Sequence, residues 1–123
     1  MPSEKRKVML LDDNILSLMI AEDVLTKSGY DVVKLTATHG WVAKLDYEQP
    51  DVLLVDVTMP RLLTDDLFET VENSKDHEDL AVVVYSDLDV GELEELCQER
   101  NLHGYFCKAM DIRQLSEFVD QFF

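Results

Sequence analysis

Val52-Leu53-Leu54-Val55-Asp56 is a run of four apolar residues that ends on a carboxylate. An antiparallel strand with one wet face alternates apolar and polar residues, whereas a strand covered by helices on both sides is apolar throughout. This stretch therefore reads as a central parallel strand. Moving outward, Val8-Met9-Leu10-Leu11 ends on Asp12-Asp13, and the apolar run Leu80 to Tyr85 ends on Ser86. Tyr105-Phe106-Cys107 leads into Lys108. With Val32-Val33-Lys34-Leu35 these make five short strands, separated by longer segments with helical spacing. The expected fold is α/β, a flavodoxin-like (βα)5 doubly wound sheet of five parallel strands with right-handed crossovers, in the order 2-1-3-4-5.

The helical segments can be placed from the same pattern. Asn14 is positioned to cap a helix running to about Lys27, and Ser28-Gly29-Tyr30 supplies its stop. A shorter helix is expected near Trp41 to Tyr47, with Trp41 and Leu45 on one face and Pro50 at the exit. A third helix from about Asp65 to Asn73 turns Leu67, Phe68 and Val71 inward, followed by the polar stretch Ser74 to Asp79. After strand four, Val90, Leu93, Leu96 and Cys97 recur at helical spacing, while Glu92, Glu94, Glu95 and Glu99 face water. The last helix is expected from about Asp111 to Phe122, with Asp111 as its cap and Ile112, Leu115 and Phe118 or Val119 buried.

Composition narrows the function classes. The 123 residues are read as one domain, 1–123, with a core that needs neither disulfide nor structural metal. Acidic residues outnumber basic ones 26 to 11, for a net charge of -15. That charge argues against direct nucleic-acid binding and against an anionic membrane surface, and favours proteins or cations as partners. Cys97 and Cys107 have no ligand-like spacing and read as reduced thiols. The four apolar residues after Glu4-Lys5-Arg6-Lys7 are too few for a signal-peptide core or a membrane span, so a cytoplasmic location is expected.

In open α/β sheets, chemistry collects at the carboxyl ends of the strands. Asp12, Asp13, Asp56, Ser86 and Lys108 all fall on that rim. Neighbouring carboxylates repel unless a cation intervenes. Mg²⁺ suits an all-oxygen set completed by water and phosphate. An aspartate is also a competent nucleophile toward phosphorus when the charge on the transferred group is neutralised. Asp56 stands alone at a central strand end and is the expected nucleophile, with Ser86 and Lys108 on the phosphoryl oxygens. Taken singly, each residue has a plainer reading as a turn or cap residue. Their coincidence on one rim favours the site. His39, His77 and His103 suggest no further acid/base centre, so an enzyme acting on an external substrate is not expected.

These motifs resemble the receiver domain of two-component response regulators, of the chemotaxis-regulator-like kind, over essentially the whole chain. Leu10-Leu11-Asp12-Asp13-Asn14 is similar to the family's acidic pair, and Asp56-Val57-Thr58-Met59-Pro60 to its phosphoacceptor segment. Ser86 matches the switch hydroxyl, Lys108 the lysine and Tyr105 the aromatic switch position. The resemblance implies phosphorylation of Asp56 by a sensor histidine kinase or phosphotransfer protein. It also implies Mg²⁺ held by the Asp13 and Asp56 side chains and the Thr58 carbonyl, with Asp12 acting through water. The last two helices and strand five would then present a changed surface to a downstream protein target or to a second copy in a homodimer. Such a dimer is opposed by the helix glutamates.

Three departures stand out. Asp87 replaces a small residue after the switch hydroxyl, Ala109 replaces the proline after the lysine, and Thr64 stands about where a glycine is usual. Leu62 and Leu63 lie in that same altered stretch. Asp87 is expected to slow phosphorylation or hydrolysis through added bulk and charge. The alternative is a pseudo-receiver, a constitutive docking module with weak or absent phosphotransfer.

Overall fold

The computed structural model describes residues 6–36, 40–56, 79–100 and 102–123. Five parallel strands form one sheet in the order β2-β1-β3-β4-β5, the expected order. They are β1 (Lys7–Leu11), β2 (Asp31–Leu35), β3 (Val52–Val55), β4 (Ala81–Ser86) and β5 (Gly104–Cys107). Among the described residues the helices are α1 (Ile15–Lys27), α2 (Trp41–Glu48), α3 (Val90–Arg100) and α4 (Leu115–Asp120). The expected helix at 65–73, the Leu62-Leu63 stretch, Thr64, Thr58, His39 and His77 lie outside the described residues.

Every residue of β3 and β4 is buried, because the period-two alternation of a strand sends side chains to two covered faces. On one face Met9, Leu11, Leu53, Val55, Val82 and Val84 pack with Leu45 of α2 and Leu93 of α3. On the other, Val8, Leu10, Leu54, Val83, Tyr85 and Phe106 pack with Leu18 and Leu25 of α1 and with Leu115 and Val119 of α4. Each fully buried side chain of this kind contributes about 1.5–3 kcal/mol. Trp41 packs against the first of these clusters, as its spacing with Leu45 suggests.

Asn14 caps α1 by accepting the Ser17 N–H at 3.0 Å. Two expectations need correction. Val90 is 44% exposed, because it is the first residue of α3, ahead of the turn that buries Leu93. The last helix does not start as an α-helix: Asp111 accepts the Arg113 N–H and caps a 3-10 turn, Ile112–Gln114, that leads into a shorter α4. Residues 121–123 then leave the helix.

His103 has a structural role that its sequence context hides. Its ring Nδ1 accepts the N–H of Val82 at 3.0 Å, while its backbone N–H donates to the Val82 carbonyl. The ring thus supplies one ladder bond where β5 has not yet begun. His103→Ala is expected to cost about 1 kcal/mol, the net value of one such bond with water partly replacing the exposed ring. Urea unfolding will measure it.

Candidate functional site

Strand register assembles the site. Leu10 pairs with Leu54 across β1 and β3, so Asp12 and Asp56, each two residues further on, emerge at the same level and on the same face. Phe106 lies on that face as well, and Lys108 follows it by two. Backbone bonds carry the ladder past the strand ends: Asp12 N–H donates to Leu35, Asp56 N–H to Leu11 and Lys108 N–H to Ser86, at 2.8 to 3.1 Å. The functional side chains therefore hang from backbone held as firmly as the sheet itself.

Asp12 and Asp56 are 1% and 3% exposed, whereas Asp13 faces solvent. One carboxylate oxygen from each of Asp12, Asp13 and Asp56 lies within 4.8 Å of the other two. Asp12 is oriented from both sides. Its Oδ1 accepts the Asn14 N–H at 2.9 Å, and its Oδ2 accepts the Lys108 ammonium at 2.5 Å. The same ammonium donates to Asp56 Oδ2 at 3.1 Å. Burial pushes the Asp12 carboxyl above its ordinary range against the pull of Lys108 and the Asn14 N–H, and the charge of Asp56 adds to the rise. Burial alone draws the Lys108 ammonium down, but its bond to Asp12 and the charges of Asp56 and Asp12 outweigh that and raise it. One cation thus holds two buried anions together.

The donor set fits a divalent cation of the Mg²⁺ type. It consists of hard oxygens, two of them buried and one open to solvent, and among the described residues no such cluster includes a histidine or cysteine. Ser86 ends β4 with no exposed surface, and its hydroxyl accepts the Leu88 N–H at 3.3 Å. Tyr105 stands apart, with its phenol donating to Glu94 Oε1 of α3 at 3.0 Å; that bond raises its pKa. Cys97 and Cys107 are free thiols. The structure brings Asp12, Asp13, Asp56 and Lys108 together, with Ser86 at the end of the adjoining strand and Tyr105 outside the cluster.

Two features escaped that reasoning. Tyr85, buried beside the site, has a phenol pushed up to about 12 chiefly by burial. On α1, Ile15, Leu16, Met19 and Ile20 are 42–66% exposed. The signal for the second lay in four apolar residues on the helix that begins two residues after Asp13, more than one buried stripe can use.

An acidic cluster at the carboxyl rim of a 2-1-3-4-5 sheet, bridged by the lysine that follows β5, is the arrangement of a receiver domain. The chain belongs to the response regulator receiver domain family, whose model matches residues 8–120. Receiver domains are signalling modules rather than enzymes. Among curated relatives, the chain is 36% identical over 59 residues to the chemotaxis protein CheY of Thermotoga maritima, covering 46% of this chain and 48% of that protein. It is 33% identical over 89 residues to protein PilG of Pseudomonas aeruginosa, covering 71% and 64%. The matches thus span about half to two thirds of the length of these relatives. Chemotaxis response regulator CheY4 of Vibrio cholerae superposes with a TM-score of 0.85 at 18% identity, over 98% of this chain and all of that one. That likeness establishes the fold. No described helix is long and apolar enough to cross a membrane.

Proposed function

We propose that the protein is a phosphorylation-dependent switch in which Asp56 accepts a phosphoryl group from a phosphohistidine on a sensor kinase or phosphotransfer protein. The observation that carries this reading is the Lys108 ammonium bonded at once to Asp12 and Asp56 beside the solvent-facing Asp13. An oxygen of Asp56 attacks phosphorus, the P–N bond breaks, and the leaving imidazole keeps the electron pair and takes a proton. The product is an aspartyl phosphate. Lys108 then exchanges a carboxylate for a phosphoryl oxygen, and the Ser86 hydroxyl, which accepts the Leu88 N–H, swings to donate its own proton to another. Mg²⁺ would be held by Asp13, Asp56 and the Thr58 carbonyl, with Asp12 acting through water, and would neutralise charge on the transferred group.

The output follows from Ser86. Drawing its hydroxyl toward phosphate releases the Leu88 N–H and repacks the start of α3, which alters the setting of Tyr105 and Glu94. A downstream protein then meets a changed face formed by α3, β5 and α4. Ile15, Leu16, Met19 and Ile20 offer the donor an apolar footing beside the mouth of the site, where the -15 charge would otherwise repel an anionic phosphodonor.

Acetyl phosphate tests the reading directly. With Mg²⁺, the intact mass is expected to rise by one phosphoryl group, and chelation should prevent it. Beryllofluoride should shift the Ser86 and Tyr105 resonances in the same metal-dependent way. No modification at saturating reagent would leave the constitutive docking module as the better reading, with Asp87 as its first suspect.

A further inference from the structure

Lys108 has a third neighbour besides its two carboxylates. Its ammonium lies 5.1 Å from the centre of the Tyr85 ring, and the lysine side chain is only 7% exposed. Register explains the contact. Tyr85 pairs with Phe106, and Val83 pairs with Leu54, so the Tyr85 ring stands level with Asp56 on the neighbouring strand and on the same face. Lys108, two residues past Phe106, reaches back across that ring toward Asp12 and Asp56.

The ring is itself held firmly. Tyr85 is 3% exposed and lies 6.1 Å from Phe106, which packs at a tilt, 5.4 Å between ring centres, against Phe118 of α4. The Lys108 backbone N–H is held on the Ser86 carbonyl, but β5 ends at Cys107 and the exposed Ala109 and Met110 follow. A four-carbon stem leaving such a turn needs a wall to lie against. An aromatic face provides one and also attracts the charge, most strongly where water is excluded.

We propose that Tyr85 is a positioning residue for phosphoryl transfer. Its ring face holds the Lys108 ammonium over the Asp12–Asp56 pair, so the cation is already placed when the phosphoryl group arrives. This role rests on the phosphoacceptor reading of Asp56. The ring contact does not depend on which oxygen Lys108 bonds, so it persists as the lysine passes from carboxylate to phosphate. A residue that only fills the core would serve equally well as leucine.

Three variants separate the two roles: Tyr85→Phe keeps the ring face, Tyr85→Leu removes it, and Lys108→Ala removes the cation. In the unphosphorylated protein, the Lys108 ε-methylene protons are expected upfield in the parent and in Tyr85→Phe, from the ring current, and at ordinary positions in Tyr85→Leu. Phosphorylation by acetyl phosphate at saturating Mg²⁺ should slow roughly tenfold in Tyr85→Leu and less than about twofold in Tyr85→Phe. Mg²⁺ affinity should stay within about twofold, since the carboxylates are untouched. In the Lys108→Ala background, Tyr85→Leu should cause no further slowing. Should Tyr85→Leu fold poorly, a fluorinated phenylalanine at position 85 preserves the ring shape while weakening its negative face, and the rate should fall without loss of stability. An unmoved Lys108 signal in Tyr85→Leu, or slowing that persists without Lys108, overturns the positioning role. A parent protein that acetyl phosphate leaves unmodified overturns the phosphoacceptor reading itself, and the positioning role with it.

Discussion

Asp56→Asn is expected to bring modification by acetyl phosphate below detection while leaving the fold at least as stable as the parent. Asparagine has the same shape but no anionic oxygen to attack phosphorus, so the chemistry is lost outright. Stability responds in the opposite direction. Three carboxylate oxygens lie within 4.8 Å, and the charge of Asp56 is one reason the Asp12 carboxyl titrates high. Removing one negative charge relieves that repulsion, against the loss of one Lys108 bond at 3.1 Å, and the cation keeps its shorter bond to Asp12. The net change is expected between zero and about 2 kcal/mol of stabilisation. Intact-mass spectrometry and urea unfolding on the same samples read both effects. A phosphoryl group that still appears on Asp56→Asn would place the acceptor elsewhere.

Lys108→Met is the second large effect, and here the fold suffers. The substitution leaves two carboxylates, 1% and 4% exposed at their side chains, facing each other without their shared cation. Breaking a buried pair of this kind costs about 3 kcal/mol at neutral pH. The cost depends on pH in a definite sense. The Asp12 carboxyl titrates above its ordinary 3.8 in the folded protein, so the fold binds that proton more tightly than the unfolded chain does. Charging Asp12 therefore weakens the fold as pH rises from 3.8 through the folded value. Without Lys108, one of the main influences holding that value down is gone, so the decline extends further toward neutrality. The penalty of Lys108→Met should thus be smallest at acid pH, where Asp12 is protonated, and grow as pH rises toward neutrality. Mg²⁺ should recover part of it by supplying another cation.

The parent shows the complementary limb. Lys108 titrates above its ordinary 10.5 when folded. Its stabilising contribution is complete below pH 10.5 and lost as pH climbs through the folded value. Unfolding curves with and without Mg²⁺ across the pH range check both limbs. A Lys108→Met penalty that is flat from acid to neutral would mean that the carboxylates, not the lysine, have rearranged.

What was legible in the chain follows from period. Four apolar residues in a row, as at Val52–Val55, have one stable setting, between two helical layers, and three such runs among five short strands that alternate with helices leave few topologies. Because every strand runs the same way, the polar residue after each run lands on one rim, and Asp12, Asp13, Asp56 and Lys108 were readable as a group. The exposed glutamates of α3 were equally plain. Less visible were contacts set by register and by side-chain reach. The bond of Lys108 to Asp12, a partner 96 residues away, has no trace in the local sequence. Val90 was expected inward, but its place in the first turn of α3 leaves it in water. His103 had no expected role, because a ring nitrogen completing a β-ladder leaves no pattern in sequence.

By itself, then, the sequence determined the layers, the strand polarity and the rim on which the acids gather, since burial and chain direction act on every residue through its immediate neighbours. Only the tertiary structure decided that Tyr85 lies under the Lys108 ammonium, that Ser86 is bonded to Leu88, and that Tyr105 reaches across to Glu94. The Ser86 bond is a local turn contact, whereas the other two depend on how adjacent strands and helices are offset by a few ångströms. That offset comes from packing the whole core at once.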